Sequence, residues 1–424
     1  MNVVKVTLVA ALAALVAAGV STTSYAFHSG GVAECEGCHS MHSPKAGGDK
    51  LLVGSDQSST CLSCHEHAGD TGPSSYHIST ADADLGAGLS PKQRTPGGDF
   101  GWLKKTYTDL TGANSYSEPG RTHGHNIVAT DQGFAADDNN TVAPGGSFTS
   151  SQLGCQSCHD PHSANRRLPD GTYVKGGVRG SATAPIMASG SYGAIPTAGN
   201  AVGAYRLLRG LGDASQGVTF ANLPIAVAPS SYNQSEADNQ VRVAYGAAGS
   251  NTWGSWCATC HADMHRGTGN YVHPVDQSLS TEITANYNAY VKSGDLSGLA
   301  ASAFTSLVPF AENTGDIATL TSHAKNNNSF LGGPGTSDKV MCLSCHRAHA
   351  SGMMEMLRYD NGYEFMTVNG KYLGTDSGEQ TSSRGALQRR GRTMAEWQAA
   401  YYDRPAAKFA TYQRVLCNKC HAKD

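Results

Sequence analysis

The sequence predicts a chain that is mostly coil, with few short helices and little strand, organised around bound groups instead of a side-chain core. The 424 residues include 50 Gly but only 10 Phe and 4 Trp, and aromatic residues make up 8%. A chain of this length with so few large apolar side chains cannot fill the interior of a domain by itself. Helical periodicity is confined to short stretches, and no run alternates as a half-buried strand does.

Two stretches near the C-terminus carry the helical signal. An apolar stripe over Ile283–Val291 predicts a helix that ends near Gly294. The Thr393–Glu396 pattern is typical of a capping box, and it opens a helix with Trp397 on its apolar side and Pro405 as its stop. The segments between such stretches are rich in Gly, Ser, Ala and Asn and are expected to be loops, as in 137–151 and 181–203.

The first 26 residues are expected to be an export signal peptide. Lys5 precedes an apolar run from Val6 to Val20, and Ser24–Ala26 forms a small-x-small cleavage pattern. The mature chain would then be a single domain, 27–424. The apolar run is short for a membrane span and no later segment could be one, so no span is predicted. No run of basic residues marks a nucleic-acid partner.

All 12 cysteines fall in six Cys-x-x-Cys-His motifs, numbered here 1 to 6 along the chain. The motifs are Cys35/Cys38/His39, Cys61/Cys64/His65, Cys155/Cys158/His159, Cys257/Cys260/His261, Cys342/Cys345/His346 and Cys417/Cys420/His421. Two thiols at this spacing reach the two vinyl groups of one porphyrin, and the next His reaches its iron. Disulfides or structural zinc would not require a His after each second Cys. The motifs therefore predict six covalent haems c, whose large apolar rings replace the missing core.

The other histidines decide what those irons can do. Of the 17 His, 11 lie outside the motifs, enough to give every iron a second ligand. Two protein ligands suit a haem to electron transfer, whereas an open position allows chemistry on small molecules. The chain is therefore predicted to be an electron carrier and not an enzyme. The predicted second ligands are His42, His162, His349, His28, His77, His125, His273 and His323.

The spacing of some histidines limits what they can bind. His42, His162 and His349 each follow a motif His by three residues, in motifs 1, 3 and 5. Two imidazoles on one helical face cannot hold one iron from opposite sides of a flat ring, so each should reach a different haem. His67 and His265, at less favourable spacings, rank lower. His123 shares a loop with His125, and at most one of the two is expected to bind iron.

Four segments resemble a known family. They are Phe27–Cys35, His67–Pro73, Cys342–His349 and Leu416–Asp424, and they are similar to the outer-surface, filament-forming hexahaem c-type cytochromes of metal-reducing bacteria. The resemblance runs through nearly the whole mature chain. It implies subunits that polymerise into extracellular filaments with a continuous stack of haems, each held by two His. It also implies that His42 binds the haem that motif 5 holds in the adjoining subunit.

The expected function is therefore electron transfer in an extracellular filament at the outer cell surface. Expected partners are further copies of the chain, other cytochromes and external acceptors such as Fe(III) oxides. Two alternatives remain open: a monomeric electron shuttle in the periplasm, and a multihaem reductase of a small oxyanion. The reductase is disfavoured because such enzymes often depart from Cys-x-x-Cys-His at one motif, and none of the six motifs departs from it here.

Overall fold

Short elements joined by long irregular segments make up the fold of this computed structural model. The structure describes residues 35–45, 50–67, 76–109, 116–162, 165–175, 186–265, 273–378 and 391–421. In this part of the chain the α-helices are α1 (Cys35–Cys38), α2 (Gln57–His65), α3 (Cys155–Cys158), α4 (Trp253–Cys257), α5 (Thr281–Ala289), α6 (Ile317–His323) and α7 (Met394–Ala400). None of these helices has the length and apolar character that a membrane crossing requires. The predicted signal peptide and His28 lie outside the described residues.

Short 3-10 helices outnumber α-helices in the described residues. They span Asp82–Asp84, Phe100–Lys104, Gly120–His123, Thr130–Gln132, Ser150–Gln152, Tyr205–Leu207, Ala262–His265, Ala300–Ser302, Cys342–Ser344, Met354–Met356, Ala406–Lys408 and Leu416–Lys419. A 3-10 turn closes with few residues, which suits a chain that changes direction often.

The strands are two or three residues long. They are β1 (Glu66–His67), β2 (Ser79–Thr80), β3 (Tyr107–Asp109), β4 (Tyr116–Glu118), β5 (Asn165–Arg167), β6 (Tyr173–Lys175), β7 (Ile186–Ala188), β8 (Ala201–Gly203), β9 (Ala214–Ser215), β10 (Val218–Thr219), β11 (Ile225–Val227), β12 (Ala244–Gly246), β13 (Ala311–Glu312), β14 (Thr367–Val368) and β15 (Lys371–Tyr372). The largest sheet has the order β6-β5-β8-β7, and a second runs β11-β12-β13. The prediction of loop throughout 181–203 is therefore corrected, since β7 and β8 lie in it. Strands this short are too brief to show alternation.

Both predicted helices are present. Ser280 caps α5 by accepting a hydrogen bond from the Ile283 amide, and Tyr287 and Tyr290 are buried. Val291, predicted on the same packing face, is instead 54% exposed, because the helix has already ended at Ala289. The Thr393 and Glu396 side chains form the reciprocal capping box expected of α7.

Apolar side chains gather in separate clusters. The largest described cluster includes Trp102, Tyr287, Trp397 and Tyr401. A second, around Tyr205, Tyr245 and Trp253, packs beneath β11 and β12. Cys155, Cys345 and Cys420 pack against the edges of such clusters, and all 12 motif cysteines are exposed or partly buried. This distribution matches the prediction of an interior completed by bound groups.

Candidate haem centres

Each motif is one tight turn that presents two thiols and an imidazole on one side. The amide of the motif His donates to the carbonyl of the first Cys at 2.8 Å in motif 1, 2.9 Å in motif 3 and 3.1 Å in motif 4. In motifs 5 and 6 the same bond is 3.0 Å, and in motif 2 the residues lie in the last turn of α2. All 12 cysteines are free thiols, so the disulfide alternative has no support.

The motifs follow one another in space in chain order. The thiol of Cys38 lies close enough to Cys61 and Cys64 for their charges to interact. A hydrogen bond to Cys155, with burial, raises the pKa of Cys61, and a bond to Cys342 does the same for Cys257. The remaining neighbours are Cys158 with Cys260 and Cys345 with Cys417. The six motifs thus form one uninterrupted row.

Backbone carbonyls fix the protonation of five of the six motif imidazoles. Each acceptor is a main-chain oxygen: Lys50 O to His39 Nδ1 at 2.7 Å, Tyr76 O to His65 at 3.0 Å, Arg206 O to His159 at 2.6 Å, Pro144 O to His261 at 2.8 Å and Glu355 O to His346 at 2.7 Å. Because a carbonyl can only accept, Nδ1 carries the proton in each ring. Nε2 is then left with its lone pair, as metal-binding histidines require.

Four motif imidazoles face a second imidazole at a nearly constant distance. The ring centres are 6.1 Å apart for His39 and His162, 6.3 Å for His159 and His349, 6.1 Å for His261 and His125, and 6.3 Å for His421 and His273. Metal–imidazole bonds of about 2.0–2.1 Å, with each ring centre roughly 1.2 Å behind its nitrogen, would separate two opposed rings by roughly 6.4 Å. The observed gap is too wide for ring stacking and has the right width for one iron. The residues therefore fit a haem held from both sides.

Burial keeps four imidazoles of the motifs and their neighbours in the form that binds metal. It lowers the pKa of His125 to about 4 and that of His349 to about 3. Burial also lowers the pKa of His159 and of His346. All four rings are therefore neutral near pH 7, and neutral imidazole is the ligand form.

Motifs 1, 3 and 5 share a turn that the sequence analysis missed. We call it the odd-motif turn; its three copies are Lys50–Leu52, Arg206–Leu208 and Glu355–Leu357. The carbonyl oxygen of the first residue accepts a hydrogen bond from Nδ1 of the motif imidazole. The carbonyl oxygen of the second residue accepts a hydrogen bond from the amide of the residue after the motif His, at 2.7, 2.9 and 2.8 Å in motifs 1, 3 and 5. The central residues Leu51, Leu207 and Met356 have positive φ values of 50°, 55° and 48°. The signal in the sequence was a Leu at the third position of each copy, preceded by Leu or Met.

Three spare histidines are paired with carboxylates. His123 Nε2 lies 2.7 Å from Glu118 Oε1, and its Nδ1 lies 2.8 Å from the Trp102 carbonyl. His265 Nε2 lies 2.9 Å from Asp276 Oδ2. His323, predicted as an iron ligand, has its Nδ1 2.7 Å from Glu312 Oε2. The His323 ring also stacks on Phe330 with centres 3.9 Å apart. Because a metal binds a ring nitrogen in the plane of the imidazole, neither contact occupies Nε2, and His323 stays a predicted iron ligand.

The last described candidates are His67, His77 and His42. The rings of His67 and His77 stack with centres 4.9 Å apart and planes 19° apart, too close for an iron between them. His42 is exposed, beside Met41, whose exposed fraction is 80%. Within the described residues no second imidazole faces His346 as His162 faces His39.

Comparison with known proteins places these features in a family. No protein-family model matches the chain. The chain is 50% identical to the C-type cytochrome OmcS of Geobacter sulfurreducens, over 99% of each. Two solved structures, of OmcS nanowires and of the outer membrane cytochrome S filament from the same organism, superpose with TM-scores of 0.82 and 0.81 at 48% and 49% identity. Each comparison covers 94% of this chain and 100% of the other. With its motifs in one row and opposed imidazoles beside them, this chain belongs to the OmcS family of c-type cytochromes.

Proposed function

We propose that this chain carries six covalent haems c and passes electrons along them as the repeating subunit of an extracellular filament. The observation that carries this proposal is the set of four opposed imidazole pairs, 6.1–6.3 Å apart, along a continuous row of motifs. Residues 1–26 would direct export, leaving 27–424 as one domain. The destination is the outer cell surface, where other cytochromes and metal oxides are the electron partners.

Haem iron, when bound, supplies one-electron redox chemistry. The chain's own residues determine how that chemistry is used. The paired thiols of each motif would hold the ring, and the motif His would bind the iron through Nε2. A second His would occupy the position that a small molecule would otherwise take at the metal. This arrangement favours electron transfer over catalysis.

The odd-numbered motifs indicate how the series of haems continues from one subunit to the next. His162, in motif 3, faces the motif His of motif 1, and His349, in motif 5, faces that of motif 3. Each such histidine therefore serves the odd motif before its own. Continuing the same step, His42 in motif 1 of one subunit would serve motif 5, and thus His346, of the preceding subunit. The exposure of His42 and of Met41 beside it supports this role.

The even-numbered motifs draw their second ligands from longer connections. His125 would serve motif 4 and His273 motif 6, as their ring separations support. For motif 2 we propose His28, which belongs to the segment Phe27–Cys35 that carries the family resemblance. His77, the other candidate near that motif, has its ring stacked against His67. Every iron in the filament would then have two His ligands.

Two measurements on the secreted protein test this function. Its intact mass should exceed that of chain 27–424 by six haems, and negative-stain microscopy should show filaments. Reduced filaments should not bind carbon monoxide, because no iron has an exchangeable position. Five or fewer haems, or a secreted protein that stays monomeric at all concentrations, would contradict the proposal.

A further inference from the structure

One arginine occupies a special place beside motif 3. Arg206 is the first residue of its odd-motif turn, and its carbonyl oxygen lies 2.6 Å from His159 Nδ1. The equivalent residues, Lys50 at motif 1 and Glu355 at motif 5, have exposed side chains. The Arg206 side chain is instead half-buried. The same backbone contact is thus combined with a charge held inside the protein at one site only.

Three tyrosines hold this guanidinium in place. It lies over the Tyr232 ring at 4.3 Å from the centroid, over Tyr192 at 4.9 Å and over Tyr205 at 5.4 Å. Arg206 Nη1 also donates to the Tyr192 hydroxyl at 2.7 Å. Cation–π contacts of this kind favour a fixed, partly desolvated cation.

The charge of Arg206 is not neutralised by an acid. Across the described ranges it forms no ion pair with Asp or Glu, whereas its neighbour Arg209 lies 3.8 Å from Asp160. Burial raises the pKa of Tyr205 and of Tyr232 to about 12, so both phenols are neutral at physiological pH. An unpaired charge in such surroundings is screened less than one in water.

The charge of Arg206 lies beside the third site. The Arg206 carbonyl oxygen is 2.6 Å from His159 Nδ1, so the guanidinium is within one arginine side chain of that ligand, and the His349 ring is centred 6.3 Å from the His159 ring. The guanidinium therefore opposes added positive charge on either side of the gap between the two rings. An oxidised iron in that gap carries one more positive charge than a reduced one.

We infer that Arg206 sets the reduction potential of the third haem, raising it above the value that the same ligands would give without this charge. The inference rests on the proposed function, because it requires a haem between His159 and His349. Its consequence is that the third site retains electrons more strongly than motif 1, where the corresponding Lys50 is exposed to solvent. Arg206 is a positioning residue, since its backbone orients the ligand while its side chain adjusts the energy.

The test is a spectroelectrochemical titration of secreted filaments from Arg206→Gln, Arg206→Lys and Lys408→Gln variants. Arg206→Gln should lower the equilibrium constant for reduction of one haem in six by about tenfold. For a one-electron couple this is a fall of about 59 mV in the reduction potential. Arg206→Lys keeps the charge and should restore most of the potential. Lys408→Gln removes one charge from an exposed side chain and should leave all the potentials in place.

A second variant tests the charge without altering the odd-motif turn. Tyr192 is 43% exposed, and Tyr192→Glu would set a carboxylate against the guanidinium and lower the same potential. Equal shifts from Arg206→Gln and Arg206→Lys, or no shift from Arg206→Gln and Tyr192→Glu, would overturn the inference. The optical spectrum of the unmutated filament is recorded first, and six low-spin haems there would establish that His159 and His349 both bind the third iron. A failure of the charge effect is therefore distinguishable from a failure of the ligand assignment.

Discussion

At the scale of single residues, hydrogen bonds separate histidines that can offer Nε2 to a metal from one that cannot. Five of the six motif histidines donate Nδ1–H to a backbone carbonyl, which leaves Nε2 available. His123 has a carbonyl on one ring nitrogen and the Glu118 carboxylate on the other, and Arg392 pairs with the same carboxylate. Sequence spacing could not separate His123 from His125, because Arg392 is distant in the chain and meets His123 only in the fold.

The two neighbouring histidines should therefore respond differently to substitution. His125→Ala should leave one iron short of a ligand, so that reduced protein binds one carbon monoxide and shows one high-spin haem. His123→Ala should keep every haem low-spin but lower the free energy of unfolding by about 1–3 kcal/mol, because a buried hydrogen-bonded group is lost. Optical spectra with and without carbon monoxide, with thermal unfolding, distinguish the variants. A carbon monoxide complex in His123→Ala alone would reverse the assignment.

At the scale of elements, the chain uses local turns more than helices or sheets. An apolar stripe predicted α5 and a capping box predicted α7, and both helices are present. The odd-motif turn was not predicted, because Leu and Met rarely adopt positive φ values, and a Leu-Leu or Met-Leu pair is not by itself typical of a turn. The tertiary hydrogen bonds to each motif impose that conformation.

Substitution of Leu51 tests the turn. Leu51 has a φ of 50° and its side chain is 38% exposed. Leu51→Gly should preserve haem attachment and raise stability slightly, because glycine adopts this φ without strain. Leu51→Pro fixes φ near −65° and should disrupt motif 1, lowering the yield of fully loaded protein. Equal haem content and melting temperature for both variants would contradict the role assigned to the turn.

The cap of α2 gives a pH-dependent prediction. Burial alone would raise the pKa of Asp56, but hydrogen bonds from Ser59 and Thr130 outweigh it and lower the pKa. The amide of Ser59 lies 2.7 Å from Asp56 Oδ1 and that of Thr130 2.7 Å from Oδ2. A lowered folded-state pKa means stability that is fully present above the unfolded value and lost as the pH falls below about 4.

Asp56→Ala should therefore destabilise the protein by about 1 kcal/mol near pH 7, with a smaller difference in acid. Asp56→Asn, which cannot ionise and keeps only one of the two acceptor oxygens, is the matched control and should lie between Asp56→Ala and the unmutated protein in stability near pH 7. Thermal unfolding followed by circular dichroism at a series of pH values measures both. A difference between Asp56→Ala and the unmutated protein that stays constant from pH 7 to pH 3 would rule out the ionised cap.

At the scale of the whole molecule, the fold is a row of six motifs with protein wrapped around it. The number, spacing and residues of the motifs were evident from sequence, as was a mostly irregular chain. The pairing of imidazoles was predicted only in part. Spacing indicated that His162 and His349 must reach other haems, but only the fold supplied the rule that each lies beside the motif His of the odd motif before its own. His323 met the same sequence criteria as His273, and its role as an iron ligand stays a prediction, because Glu312 contacts its Nδ1 and Phe330 its ring face.

The same rule makes the filament a continuation of the fold. Within one subunit no odd motif precedes motif 1, so His42 has no haem of its own chain to bind. Motif 5 is the last odd motif, so its haem would take His42 of the next subunit as its second ligand. Iron coordination would then contribute directly to the contact between subunits. Removing that one ligand should affect assembly and one iron, while the thioether bonds to all six haems remain.

The His42→Ala variant tests this central claim most directly, with His67→Ala as its matched control. Secreted protein of each variant is examined by negative-stain microscopy and by carbon monoxide titration after reduction. We predict six attached haems in both variants, filaments from His67→Ala, and monomers or short filaments with one carbon monoxide per chain from His42→Ala. Filaments of normal length from His42→Ala, with every iron low-spin and indifferent to carbon monoxide, would contradict the account.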